Sequence, residues 1–284
     1  MGLKDIVKDI VTDILWWGRA AGSRIAWLGC VALLACAVLA PGRSAAASLA
    51  DTVAQVKQSV VGVATFQGIR QPQSVLMGTG FVVGDGNHVL TNHHVIKDHL
   101  IPVDKEVLVV LIGHGQSFEH REAQVVATEA VHDLALLRIG GASLPPLRLA
   151  RETGMAREGQ LVALTGYPIG PVFGLYPVTH RGIISAITPN KIPMAQARLL
   201  DATTIRRQRF NVYQLDLTAY PGNSGSPLYD VETGMVLGIL NSTFVKETKE
   251  RALTDPSGIS FAIPVRFAHL ILRKAGLAPT PAQP

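Results

Sequence analysis

The sequence predicts an all-β chain of two six-stranded antiparallel barrels with a short C-terminal helix, preceded by an N-terminal membrane-targeting segment. Three observations carry this. From Val60 onward, short β-type runs recur between Gly, Pro, Asn or Asp residues. The runs fall into two sets of six. Outside the N-terminal segment, only Asp51 to Ser59 and Val265 to Ala275 form good helical stretches. With 48% hydrophobic and 17% charged positions among 284 residues, the chain has ample apolar material for one globular core.

The first set runs Val60 to Phe66, Thr79 to Val83, His88 to Thr91, Val107 to Ile112, Ala123 to Thr128 and Leu134 to Ile139. Val is the commonest residue of these runs, as expected because β-branched side chains pack well on a pleated surface. The second set runs Gln160 to Thr165, Val178 to Ile187, Tyr213 to Leu217, Pro227 to Tyr229, Met235 to Asn241 and Ile259 to Ile263. Between its second and third members, Pro189 to Phe210 is polar and carries Lys191, Arg198, Arg206, Arg207 and Arg209. It reads as a long loop, either a solvated surface or a contact for an anionic or regulatory ligand.

Three short segments carry the chemistry: Thr91-Asn92-His93-His94-Val95, His132-Asp133-Leu134-Ala135-Leu136-Leu137 and Pro221-Gly222-Asn223-Ser224-Gly225-Ser226-Pro227. A serine hydroxyl is a poor nucleophile at neutral pH. It needs a neutral imidazole to take its proton and a carboxylate to fix the imidazole tautomer. His94, Asp133 and Ser224 are the catalytic candidates, with His and Asp on the first barrel, Ser on the second and the site in the cleft between. The order His, Asp, Ser separates the chain from α/β-hydrolases and subtilisins, and a Gly-x-Ser-x-Gly elbow fails because Ser226 stands where glycine is required. His88, His93, His94 and His99 lie close in sequence, but a strand alternates its side chains, so no metal and no cofactor are expected.

At these residues the chain resembles a trypsin-like serine protease, and within that group the bacterial HtrA/Deg family. Gly78-Thr79-Gly80-Phe81-Val82-Val83 stands where the family has a Gly-Ser-Gly-Phe turn, and Thr91 to Val95 matches Thr-Asn-x-His-Val, which makes His94 the base and His93 the variable neighbour. Gly166-Tyr167-Pro168-Ile169-Gly170, Val178-Thr179-His180-Arg181-Gly182-Ile183-Ile184-Ser185, Asp216 eight residues before Ser224, and Gly258-Ile259-Ser260-Phe261-Ala262-Ile263-Pro264 complete the match over about residues 55 to 270. The resemblance implies a serine endopeptidase. Its oxyanion hole would be made by the N–H groups of Gly222 and Ser224, and its substrate pocket by Thr218, Ala219, Tyr220, Leu240, Asn241 and Ser242. Thr218 stands where a trypsin-type pocket has an aspartate, so a small or medium apolar side chain is the expected preference.

Two departures mark the chain. Gly225-Ser226-Pro227 replaces the family's Gly-Gly, a run also similar to bacterial glutamyl endopeptidases, although Gly238-Ile239-Leu240-Asn241-Ser242 lacks the histidine those enzymes place there. Only 20 residues follow Pro264, too few for the PDZ domain that HtrA proteins append, since the smallest domains need about 50. The expected organisation is a signal or anchor segment over 1–47, a protease domain over 48–275 and a flexible Pro-rich tail over 276–284. Family resemblance also implies protein or peptide substrates in envelope quality control or regulated proteolysis, and a homotrimer in which Leu49 to Gln58 serves or does not. A latent or inactive protease fold acting as a binding scaffold is the alternative, and an esterase with the same triad is a third class.

Ahead of the domain, the 16 uncharged residues from Ile25 to Ala40 follow Arg19 and Arg24 and precede Ala45-Ala46-Ala47. They fit a signal peptide, a retained anchor, or a lipobox ending at Cys36. Each delivers the domain to the periplasm or the outer face of the inner membrane. Leu3, Ile6, Val7, Ile10, Val11, Ile14 and Leu15 recur at helical spacing, either as an in-plane membrane helix or as periodic upstream sequence. Cys30 and Cys36 are the only cysteines, so the domain holds no disulfide. The first 47 residues carry five basic and three acidic side chains. Without them the totals of 26 Lys+Arg and 21 Asp+Glu fall to 21 and 18, a balance that gives no reason to expect nucleic acid as a partner.

Overall fold

The computed structural model describes residues 48–99, 105–115, 117–153, 155–168, 174–190, 210–241 and 258–278. The readings made for the N-terminal segment, for the basic loop and for the tail beyond 278 therefore lie outside the described residues, as do Ser242, Ile169 and Gly170. Among the described residues, no helix is long and apolar enough to cross a membrane.

The chain enters through α1 (Leu49–Lys57), where Ser48 and Asp51 form a reciprocal capping box. The first barrel consists of β1 (Val60–Phe66), β2 (Ser74–Val83), β3 (His88–Thr91), β4 (Val107–His114), β5 (Ser117–Glu129) and β6 (Leu134–Ile139), closed in the order β1-β2-β3-β6-β5-β4. A single helical turn, α2 (His93–Ile96), follows β3. The second barrel consists of β7 (Leu161–Gly166), β8 (Val178–Pro189), β9 (Asn211–Asp216), β10 (Pro227–Asp230), β11 (Val236–Asn241) and β12 (Ile259–Pro264), closed as β10-β11-β12-β9-β8-β7. Helix α3 (Arg266–Lys274) is the last element of the described chain. All strand pairs within the barrels are antiparallel. Closure removes every sheet edge that could recruit another strand.

All twelve expected strands are present, and the differences lie at their ends. β5 begins at Ser117 rather than Ala123, because Ser117 to Glu122 pair in register with β4 although five of the six side chains are exposed. A solvated ribbon has no hydrophobic alternation for the sequence to display. β2 likewise begins at Ser74, where Phe66, Thr65 and Ala64 of β1 carry the pairing past a bulge at Val63/Ala64.

Each barrel encloses its own apolar cluster. Val61, Val63, Val82, Val89, Val110 and Leu137 fill the first, and Val162, Leu164, Ile184, Leu215, Leu228 and Leu240 the second. A third cluster lies outside both, joining Phe81, Leu136, Leu149, Tyr229 and Ile239 to the buried face of α3, Ala268, Ile271 and Leu272. This shared cluster makes the two barrels one packed body. The barrels are also bonded to each other: Gly115 exchanges backbone hydrogen bonds with Leu175, and the Tyr167 hydroxyl donates to the carbonyls of Val60 and Gly113.

Candidate active site

The histidine segment is positioned by the end of β3. Thr91 is buried, and its hydroxyl donates to the Thr79 carbonyl at 2.7 Å, which fixes where the strand turns into α2. His94 then stands in the single turn of helix, with its ring partly exposed. Asp133 occupies the turn between β5 and β6 at φ +54°, a conformation uncommon for a non-glycine residue. Its carbonyl accepts from His93 N at 3.1 Å and from Asn92 Nδ2 at 3.0 Å. The turn is thereby tied to the histidine segment through backbone and side chain together.

The Asp133 carboxylate accepts three hydrogen bonds. Oδ1 receives His94 N at 2.8 Å, while Oδ2 receives His94 Nδ1 at 2.6 Å and Asn241 Nδ2 at 2.7 Å. With Nδ1 donating to a carboxylate, the proton of the neutral ring sits on that nitrogen and Nε2 is left as the basic one. The Asn241 bond comes from the last residue of β11, in the other barrel, 108 residues further along the chain.

The serine segment is held as tightly. Thr79 N donates to the Ser224 carbonyl at 2.8 Å, and Thr79 Oγ1 donates to the Gly222 carbonyl at 2.7 Å while accepting Tyr167 N at 3.0 Å. Asn223 N closes the turn onto the Tyr220 carbonyl, and Gly225 N bonds the Leu240 carbonyl. Gly222 and Gly225 adopt φ of +96° and +87°, where a side chain would strain the backbone. A Cβ on Gly225 would also lie 2.1 Å from the Thr79 carbonyl.

Gly78 shows how near the two segments come. A Cβ placed there would meet Val95 at 2.8 Å on one side and the Ser224 carbonyl at 3.0 Å on the other. The residue after His94 and the backbone of Ser224 thus flank one glycine, and Ser224 is 4% exposed.

A match to the family model described as the trypsin-like peptidase domain spans residues 78–239, from this glycine through the serine loop into β11. The chain belongs to the trypsin-like peptidase family. Among curated members it is 30% identical over 207 residues to a probable periplasmic DegP-like serine endoprotease of Pseudomonas fluorescens, covering 71% of this chain and 35% of that protein. A DegP-like protein of Halomonas elongata is 30% identical over 192 residues, covering 68% and 33%. The chain spans about a third of the length of the curated relatives it matches. Among solved structures, the HtrA-type protease AlgW with tripeptide superposes with a TM-score of 0.56 at 26% identity, covering 80% of this chain and 63% of that one. The serine endoprotease from Yersinia pestis gives 0.56 at 26%, covering 81% and 66%.

Within this trypsin-like domain, the six residues expected to line a substrate pocket divide. Thr218, Ala219 and Tyr220 are half-buried just ahead of the serine turn. Leu240 packs its side chain wholly inside the second barrel and offers only its backbone to the site. Asn241 is fully buried, with its amide on Asp133. The histidines near His94 go separate ways: His88 Nδ1 contacts Asp85 at 2.7 Å and His99 contacts Glu106 at 3.3 Å. His180, beside the Tyr220 ring at 5.8 Å, has its pKa lowered by burial.

Sequence reasoning missed Thr79 and the role of Asn241. The signal for Asn241 was a lone amide closing the apolar run Val236 to Leu240. A buried polar group at the end of such a run has to find a partner.

Proposed function

We propose that this domain is a serine endopeptidase that hydrolyses peptide bonds of protein substrates through an acyl-enzyme. The observation that carries the reading is the orientation of His94: its Nδ1 faces the Asp133 carboxylate at 2.6 Å, leaving Nε2 as the base. Ser224 attacks the scissile carbonyl as His94 Nε2 takes its proton. His94 then returns that proton to the leaving amine, and water repeats the cycle on the ester. Asp133 holds the ring and stabilises the imidazolium without taking its proton.

The N–H groups of Gly222 and Ser224 are assigned to the developing oxyanion. Both residues have their carbonyls fixed by Thr79, which supports a loop organised before substrate arrives. Such preorganised donors are worth about 2.7–4 kcal/mol each. Thr218, Ala219 and Tyr220 are assigned to the substrate pocket together with Ser242. The Leu240 and Asn241 backbone forms its edge. No metal or cofactor enters this mechanism. The periplasmic DegP-like descriptions of relatives support an exported domain acting on envelope proteins. The homotrimer and the membrane attachment through residues 1–47 belong to the same reading.

A second reading, a protease fold that binds without turnover, draws on one feature. Asn223 Oδ1 and Nδ2 and Ser226 Oγ are buried, with no hydrogen-bond partner among the described residues, so the nucleophile loop has polar capacity for another arrangement. Fluorophosphonate labelling of the full chain and of Ser224→Ala, alongside cleavage of an unfolded casein, separates the two. Labelling and cleavage that both vanish in Ser224→Ala are expected. A folded wild-type chain that is never labelled supports the second reading and removes the first.

A further inference from the structure

We propose that His132 is a positioning residue for Asp133, clasped between Phe267 of α3 and Phe210 ahead of β9, so that the C-terminal helix sets the first-barrel half of the triad. The inference rests on the triad reading above. His132 immediately precedes Asp133 in the turn between β5 and β6. Asp133 is held at φ +54°, uncommon for a residue with a Cβ although Asp enters it more readily than most, and the packing of His132 adds to the hydrogen bonds that keep the turn there.

The His132 ring is buried and stacks on Phe267 with centroids 3.8 Å apart and planes 20° from parallel. Phe210 meets it edge-on at 4.8 Å and meets Phe267 at 5.0 Å, so the three rings form one closed group. The far end of the same turn is held by the same helix, since Lys274 bonds Glu129. Helix α3 therefore grips the turn at both ends, although it follows the second barrel and the turn belongs to the first.

What His132 supplies is a flat ring. Its Nδ1 is buried with no hydrogen-bond partner among the described residues, and lies 3.7 Å from Glu129 Oε1. Burial lowers its pKa, Glu129 opposes that, and Lys274 and Arg266 from α3 reinforce it. The neutral ring is thus the form that stacks. A shift of this ring passes through one peptide bond into the Asp133 Cα. The three bonds to the Asp133 carboxylate, all between 2.6 and 2.8 Å, tolerate little displacement.

The test compares the full chain with His132→Ala, His132→Phe, Phe267→Leu and, as a control on the outer face of the helix, Arg273→Ala. Two readouts are taken: the low-field NMR proton of the His94–Asp133 hydrogen bond, and kcat and KM on a peptide ester with the rate of fluorophosphonate labelling. His132→Ala and Phe267→Leu are expected to weaken or abolish the low-field proton. They should lower kcat and labelling about a hundredfold, the effect of a misplacement near 1 Å, with KM held within about twofold. His132→Phe restores the ring, and with it both readouts; Arg273→Ala leaves them unchanged. A folded His132→Ala or Phe267→Leu with the wild-type proton and labelling rate overturns the proposal, as does a loss that His132→Phe fails to restore. If the wild-type chain is not labelled, the triad reading fails, while the NMR signal still decides whether the clasp positions Asp133.

Discussion

Replacing Asp133 by Asn changes one atom and tests the whole electrostatic logic of the site. The carboxylate accepts from His94 N on one oxygen and from His94 Nδ1 and Asn241 Nδ2 on the other. An Asn side chain has one acceptor and one two-proton donor. With its oxygen at the Oδ2 place, its NH2 confronts the His94 backbone N–H, and a buried donor pair is left unmatched at about 1–3 kcal/mol. With its NH2 at the Oδ2 place, its oxygen accepts His94 N. Asn241 turns its amide to accept one proton, and His94 accepts the other at Nδ1. The second arrangement matches His94 N, His94 Nδ1 and both ends of the residue 133 amide, so it prevails. It also moves the His94 proton to Nε2, where, on the proposed mechanism, the ring can no longer take a proton from Ser224. The expected result is a fall in kcat of about 10⁴, or roughly 5.4 kcal/mol of transition-state stabilisation, with the melting temperature changed by no more than about 4 °C. Steady-state kinetics on a peptide ester, the fluorophosphonate labelling rate and a thermal melt supply the numbers. A folded Asp133→Asn enzyme that keeps kcat/KM within tenfold of wild type refutes the assignment of Asp133 as the residue that sets the tautomer.

Two further predictions concern the loop and the acid limb of stability. Gly225→Ala adds a Cβ that meets the Thr79 carbonyl at 2.1 Å, at φ +87°. It should cost at least about 1–3 kcal/mol of unfolding free energy in urea and abolish labelling of Ser224, and a variant with wild-type midpoint and labelling removes the claim that this contact shapes the loop. His132 and His180 both have pKa values lowered by burial as the largest cause, so the unfolded chain binds their protons first as the pH falls. Stability is full above the ordinary histidine value near pH 6.5 and declines below it, toward the lower folded-state values. Thermal melts from pH 7.5 to 5 should show this slope, and His132→Phe should flatten part of it; an identical slope in the variant discards His132 as a contributor.

Much of the fold was legible because closed barrels write themselves into sequence as short branched runs between turn residues. Leu134 to Ile139 illustrates this, with five of its six residues buried. Ser117 to Glu122 did not, since a ribbon solvated on both faces has no pattern to show. Helix α1 was expected at Asp51 to Ser59 and spans Leu49–Lys57, because the Ser48 capping box starts it two residues earlier. At the site, motifs confined to a few consecutive residues made His94, Asp133 and Ser224 the candidates, and the structure joins the first two directly. The Asn241–Asp133 bond, the Thr79–Gly222 bond and the Phe267–His132 stack were not legible. Their partners lie 108, 143 and 135 residues apart in sequence, and only the closed barrels bring them into contact.

Thr79 has a consequence for the life of the chain before it is finished. This one residue of the first barrel secures the Gly222 carbonyl and Tyr167 N through its hydroxyl and the Ser224 carbonyl through its backbone N–H, all of the second. Asn241 returns the bond from the second barrel to Asp133. A half-built molecule, with one barrel closed and the other still being made or translocated, has an unanchored serine turn and an incompletely held aspartate. On the proposed reading it is therefore harmless to itself and to its neighbours. On the same reading, hydrolytic power arrives at the docking of the two halves, so the order of assembly itself sets the timing.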